Sequence, residues 1–307
     1  MIRTRKLTAA GVVAGLLWSA GSFAFGSGGK PQTAHALSTP LQIRSAHGAS
    51  FLPALEGKRP LFILAIGSDA RPGQAPQSTR ADSIHLIGMD LRRRRATILG
   101  FPRDSYVPIP GHGTDKINSA LFLGGPELVV QTIENLTDIR VDFWALTGFQ
   151  GFVRFWNDVG PINVDVPRPM FDSASGANFT AGVHSFVGRE ALAFARDRHD
   201  VPGGDIGRSE NHGRLLMEAL EAFAKKVKAN PAELLLWLSA GWRSVTTDIS
   251  PKELFDLALT VAQFKKKAVN NRVVPSSTGS AGAASVVFIS SSASAIYADM
   301  RADGVAR

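Results

Sequence analysis

The chain has 307 residues, 44% of them hydrophobic, which is enough apolar content for one large domain or two small ones. It contains no cysteine, which excludes disulfides, thiolate metal sites and a cysteine nucleophile. The formal charge of +8 includes four basic and no acidic residues in positions 1–36; the rest carries 30 Lys+Arg against 26 Asp+Glu, or +4, too little to argue for nucleic acid as a partner.

Arg3, Arg5 and Lys6 form a positive start, residues 7–25 carry no charge, and Ala34-His35-Ala36 fits a small-x-small cleavage pattern. Residues 1–36 therefore read as a cleaved signal peptide or as an N-terminal membrane anchor, the uncharged run being marginally long enough to span a bilayer. Either reading puts the remainder outside the cytoplasm. Residues 37–59 mix Pro, Ser, Gly and Arg without periodicity and read as a linker, leaving 60–307 as the folded domain.

Three short apolar runs, 61–66, 84–89 and 97–101, read as buried strands. Ionisable residues mark their ends: Asp69 and Arg71 after the first, Arg80 and Asp82 before the second, Arg103 and Asp104 after the third. Neighbouring strands would gather these at one sheet edge, where carboxylates suit a hard cation and arginines suit a phosphate. The alternative is a set of surface turns with ordinary ion pairs. Residues 92–95 read as a hairpin tip, either simply solvated or weakly drawn to anionic lipid headgroups.

Pro102 forces a turn. Residues 108–118 read as a loop that delivers Lys116 and Asn118 to a short helix, broken at Gly124-Gly125 and restarted by Pro126. A strand is expected over 141–146, a helix with aromatics on one side over 149–156, and a strand over 162–166. Residues 167–187 read as a polar, glycine-containing excursion. The Ala-rich helix 188–198 ends in Arg196-Asp197-Arg198, whose two arginines converge only if the helix has ended. A loop over 199–207 leads to a long helix opened by Asp205 and Arg208. An arginine there sits against the positive end of the helix dipole, and an anionic ligand would relieve that. Helices over 231–238 and 251–264, strands over 271–274 and 286–290 around a Ser/Gly/Ala loop, and a closing helix over 291–300 complete the chain. The alternation argues for a three-layer α/β domain.

There is no GxxxxGK[ST] phosphate loop, no HExxH and no serine in a nucleophile elbow, and the histidines lack metal-ligand spacing. His85, inside an apolar strand, reads as a satisfied half-buried residue. The 149–156 aromatics and the pair Trp237 and Trp242 read as core, or as the wall of a lipid groove.

Taken in order, GSDARP with STRADS, FPRDSYVPIPG, DKINSA, ENLTDI, ALAFARDR and DIGR resemble the motifs of the LytR-CpsA-Psr (LCP) family, collinearly over about residues 61–220. The resemblance implies a three-layer αβα domain with a central mixed sheet and an apolar lipid pocket. It also implies an extracytoplasmic transferase that moves a glycopolymer phosphate from a polyprenyl-pyrophosphate carrier to peptidoglycan, at the C6 hydroxyl of N-acetylmuramic acid. Asp69 and Asp82 match the ligands of Mg2+ (or Mn2+). Arg103, Arg196, Arg198 and Arg208 match the arginines that grip the pyrophosphate and act with Asp82 in catalysis. Lys116, Asn118 and Arg80 join the pyrophosphate set, and Asp104 or Asp205 is the candidate base. The implied partners are the lipid-linked glycan, peptidoglycan and the membrane surface. A non-catalytic lipid-binding scaffold and a lipid-pyrophosphate hydrolase are the competing readings. The chain departs from the family at Asn211-His212, where Arg-Gln is usual; Asn211 loses a charge, and His212 would have to supply the hydrogen bond of the missing amide.

Overall fold

The computed structural model describes residues 58–307, so the signal or anchor segment and nearly all of the linker lie outside the described residues. Strands β1 (Leu61–Ser68), β2 (Ala81–Asp90) and β3 (Arg95–Phe101) form an antiparallel meander. Strand β6 (Phe143–Thr147) runs parallel to β1, and β12 (Val269–Val273) parallel to β3. With β11 (Thr246–Thr247), the order across the central mixed sheet is β11-β6-β1-β2-β3-β12.

Both faces of this sheet are covered, as its long apolar strands require. On one face Phe62, Leu64 and Ile66 of β1 pack with Ile84, Leu86, Leu99 and Phe101 against α1 (Ser119–Thr137). The closing helix α7 (Ala293–Asp303) covers the same face through Tyr297 and Met300. On the other face Leu61, Met89 and Ile98 meet α4 (Asp205–Ala229) and α6 (Pro251–Val261). The alternation of β1 residues between the two clusters is the two-residue period of a strand. Helices α2 (Phe149–Val159), α3 (Gly188–Arg196) and α5 (Glu233–Ser244) build a second apolar core with α4, beyond the sheet. The αβα architecture expected from the sequence is therefore present.

Some expected elements differ. Residues 108–118 are a hairpin, β4 (Tyr106–Ile109) with β5 (Gly113–Lys116), because Val107 and Ile109 bury their side chains in the core while Pro108 stays outside. The excursion 167–187 contains three strands: the hairpin β8 (Met170–Asp172) and β9 (Ala177–Phe179), and β10 (Gly182–Phe186), which pairs with β7 (Ile162–Val166). The Ser/Gly/Ala loop is strand β13 (Ser276–Ala281), paired with β14 (Ala284–Ile289). In each case the strands are short and held by tertiary contacts, which periodicity cannot register. At Gly124 and Gly125 the backbone leaves helical geometry inside α1, as the break expected there requires. Among the described residues, no helix is long and apolar enough to cross a membrane.

Candidate active site

The end of β1, the start of β2 and the end of β3 lie at one edge of the sheet, as antiparallel pairing dictates. Gly67 faces Ser83 and Ser68 faces Ala81, so Asp82 is the extra residue of a β-bulge. A bulge re-aims a side chain, and Asp82 is thereby ion-paired with Arg103 Nη1. Asp69, just past β1, accepts the N–H of Arg80 at 3.1 Å across the same turn.

Arg103 is the hub. Its Nε lies 3.8 Å from Asp104 and 4.0 Å from Asp205. Burial disfavours its charge, but Asp82, Asp205 and Asp104 outweigh that and hold its pKa above the usual value. Asp104 is held in turn by Lys116 Nζ at 3.1 Å and by Asn118 Nδ2 at 3.3 Å. The β4–β5 hairpin positions both partners: the N–H of Ile117 bonds Ser105 and that of Asn118 bonds Arg103.

Arg208 comes from the first turn of α4, with Nη2 3.0 Å from Asp205 Oδ1. Asp205 thus offsets part of the electrostatic cost of an arginine at that helix end. The helix can sit this close because position 100 on β3 is glycine; a Cβ there would collide with Ser209 Oγ and the His85 ring. Burial, the main influence on Arg208, lowers its pKa.

Arg196 ends α3, and its guanidinium lies 5.3 Å from the ring centroid of Phe149. The helix stops there, so Arg198 follows in extended chain rather than one turn on. Asp197 between them is fully buried and accepts the N–H of His199 and of Asp200. Its burial raises its pKa. His199 Nδ1 lies 3.0 Å from Asp172, which anchors the arginine segment to the β8–β9 hairpin. This brace escaped the sequence reading; its only trace there is an aspartate between two arginines.

Behind the charged edge lies a cavity of about 310 Å³. Its floor follows from the strand register. Ala65 pairs with His85 on one side and Ala145 on the other, and Gly67 with Ser83 and Thr147. Opposed residues of paired strands share a face, so these two rows of mostly small side chains leave a hollow in an otherwise filled core. Phe149, Phe152, Phe155 and Trp156 of α2, with Leu192, Leu215 and Leu216, wall it in. The aromatics of 149–156 thus line a cavity, while Trp237 packs in the core against Phe155 and Phe223. Asp82, Arg196 and Arg208 are also in the cavity lining, which joins apolar interior and charged edge into one feature.

His212 belongs to the cavity wall. Its Nε2 donates to Ala195 O at 2.7 Å, and its ring lies 5.7 Å from that of His85. Burial, then the neighbouring His85 and Arg208, push its pKa well below the ordinary value. A neutral ring with Nε2 committed to a carbonyl keeps only an acceptor at Nδ1, so the donor expected for a phosphate is already engaged. Asn211 is buried, and its Nδ2 makes no hydrogen bond among the described residues. Arg80 is exposed and is tied to Asp69 through its backbone N–H.

Counting charges, Asp82, Asp104 and Asp205 balance Arg103, Lys116 and Arg208, three against three, by the ion pairs above. Arg196 and Arg198 form no ion pair among the described residues, which leaves their guanidinium charges available to an anion. Asp69 and Asp82 supply the hard oxygen donors a divalent cation takes. Among the described residues no group of three or more His, Asp or Glu forms a self-sufficient metal cage. Two carboxylates suit a cation that completes its shell with water or with oxygens of a ligand.

A model described as the LytR_cpsA_psr family matches residues 29–300. The polyisoprenyl-teichoic acid–peptidoglycan teichoic acid transferase TagU of Enterococcus faecalis is 30% identical over 211 residues, 67% of this chain and 67% of its own length. Among solved structures, B. subtilis TagV is similar with a TM-score of 0.68 at 27% identity, covering 80% of this chain and 95% of TagV. B. subtilis TagT with bound octaprenyl pyrophosphate lipid has a TM-score of 0.63 at 21% identity, over 88% of this chain and 100% of TagT, a likeness of fold. The chain spans 37% to 64% of the length of the first curated relatives it matches.

Proposed function

The chain belongs to the LytR-CpsA-Psr family, and from that membership we propose that it is an extracytoplasmic phosphotransferase. It moves a glycopolymer phosphate from a polyprenyl-pyrophosphate carrier to a hydroxyl of peptidoglycan. The observation that carries this reading is the continuity of the apolar cavity with Asp82, Arg196 and Arg208. A ligand with a long hydrocarbon tail and a doubly charged head would place each part against matching chemistry. The TagU and TagT likenesses support the same class of donor.

Phosphoryl transfer is mainly a matter of position and charge. Arg196, Arg198 and Arg208 hold the pyrophosphate and reduce its repulsion of an incoming alcohol. The acceptor oxygen bonds to the phosphorus that carries the glycan. The P–O bond to the bridging oxygen breaks, and polyprenyl phosphate leaves with that electron pair. The hydroxyl proton goes to Asp104 or Asp205, the carboxylates flanking Arg103. Asp69 and Asp82 would hold a Mg2+ or Mn2+ ion, which supplies further charge neutralisation at the phosphates. The membrane surface would be where the donor is met, since its tail is a bilayer lipid.

A second reading, a lipid-binding scaffold without turnover, draws on Asn211 and the neutral His212, which put no positive charge where the family usually has one. The test is a transfer assay with a defined lipid-pyrophosphate glycan, with and without peptidoglycan and Mg2+. Transferase activity gives acceptor-dependent, Mg2+-dependent release of polyprenyl phosphate. Release without acceptor would indicate a hydrolase, and bound lipid without release a scaffold.

A further inference from the structure

An aromatic corner adjoins the charged cluster. Tyr106 and Lys116 are paired across the β4–β5 hairpin, so their side chains share a face, while Val107 and Ile109 point into the core. On that face Lys116 reaches Asp104 at 3.1 Å, and Asp104 lies 3.8 Å from Arg103 Nε. Phe288 of β14 meets Tyr106 with ring centroids 6.2 Å apart and planes at 84°. The two hairpins are joined by backbone: the N–H of Val287 bonds Asp104 O at 2.9 Å, and Ser105 bridges Val287. An unbroken line of side chains therefore runs Phe288, Tyr106, Lys116, Asp104, Arg103.

Phe288 is 41% exposed, although it has an apolar core within reach of its neighbours Val286 and Val287. Its ring lies over Gly279, where a Cβ would come within 2.8 Å of Cε2. The missing side chain at 279 thus sets where the ring lies. Directly across the hairpin from it lies Ser277, exposed on the same face, whereas the exposed Thr278 and Ser280 alternate to the other face. On this hairpin Phe288 is the only large apolar side chain that is exposed. A single ring beside a serine hydroxyl, with no second exposed apolar side chain on the hairpin, is poor chemistry for a membrane or a protein interface, which need contiguous apolar area. It suits a pyranose, whose C–H face packs on an aromatic ring while its hydroxyls meet polar neighbours.

Resting on the phosphotransferase reading, we propose that Phe288 and Tyr106 form the acceptor subsite, a stacking platform for a sugar ring of an amino-sugar polymer. The platform holds the polymer so that a neighbouring ring's hydroxyl comes to the Asp104 and Arg103 end. Lys116, beside it, meets carboxylates carried by the polymer.

The test measures binding of soluble, carboxylate-bearing peptidoglycan oligosaccharides by saturation-transfer NMR and calorimetry, with no donor and no Mg2+. Its outcome is thus separate from whether transfer occurs. Phe288→Ala should weaken this binding roughly tenfold, and Phe288→Trp, which keeps a stacking face, should retain it. In the transfer assay Phe288→Ala should raise the acceptor KM by a similar factor with kcat within about twofold. Gly279→Val, which displaces the ring, should behave like Phe288→Ala. Unchanged oligosaccharide binding in a folded Phe288→Ala protein overturns the proposal. So does loss of vesicle binding by that variant with oligosaccharide binding intact, which would mark the face as a lipid contact. A wild-type protein that binds oligosaccharide through Phe288 but transfers nothing would keep the subsite and remove the phosphotransferase reading.

Discussion

Asp82 and Arg103 are ion-paired across the edge of the sheet, one from the bulge that opens β2 and the other from the turn that closes β3. Both side chains are partly accessible, at 17% and 23%. Neither is a core element, and Arg103 keeps Asp104 and Asp205 near it when Asp82 is removed. Arg103→Ala and Asp82→Ala should each lower transfer by about 100-fold to 1000-fold, the scale of losing one preorganised charge at a reacting phosphate. Thermal unfolding should shift little. Initial rates and melting curves on purified proteins check this, and wild-type rates in either variant would remove both residues from the site.

Asp69 and Asp82 stand on neighbouring strand ends and supply oxygen alone, so a cation bound there should be readily exchanged. Chelation by EDTA should abolish transfer, and Mg2+ or Mn2+ should restore it. Asp69→Asn removes a charge at constant size and should raise the Mg2+ concentration for half-maximal rate about tenfold or more, since carboxylate charge is the main attraction for a hard cation. A Mg2+ titration of the initial rate reads this directly, and an unchanged midpoint would assign Asp69 to its turn with Arg80 alone.

The cavity gives a prediction about shape. Ala65 sits in the middle of its floor, between His85 and Ala145. Ala65→Phe would place a ring in the hollow, where about 310 Å³ is available, so the usual cost of overpacking is reduced. The variant should fold, yet lose co-purifying polyprenyl lipid and transfer together. Mass spectrometry of extracted lipid distinguishes this from a catalytic defect, because Arg103→Ala should keep its lipid. Retention of lipid by Ala65→Phe would place the hydrocarbon elsewhere.

What the sequence disclosed about this site has a physical boundary. The first three strands were legible because each is a solid apolar run, and their pairing brings Asp82 and Arg103 to one edge, where the bulge turns Asp82 onto Arg103. The hollow was not, because Ala65, Gly67, Ala145 and Thr147 look like ordinary small residues until the parallel pairing of β1 with β6, some eighty positions apart, lines them up. The brace of Asp172 and His199 is equally silent, since its partners lie 27 positions apart on a hairpin too short for periodicity. Asn211 and His212 were legible as a departure, but their burial was not; it depends on how closely Gly100 lets α4 approach the sheet.

His85 provides a pH test that needs no substrate. The ring is buried, with Nε2 3.0 Å from Ser209 O and Nδ1 3.1 Å from Ser83 Oγ. Burial lowers its pKa from 6.5 to about 4, against a smaller opposing contribution from the Ser209 carbonyl. The unfolded chain takes up the proton near the ordinary value, the folded one only near the depressed value. Between them the unfolded state binds more protons, so stability falls as pH drops through that window and is fully present above it. The lost stabilisation is about 3 kcal/mol at most, from the size of the shift. His212, lowered also by burial first, acts in the same direction. Urea unfolding at about pH 7.5 and about pH 4.5 should therefore show a large loss in the wild type and a smaller one in His85→Gln, which cannot charge. Equal losses in the two proteins would mean that folded His85 takes up its proton near the ordinary pKa, and that the cavity wall around it is wet.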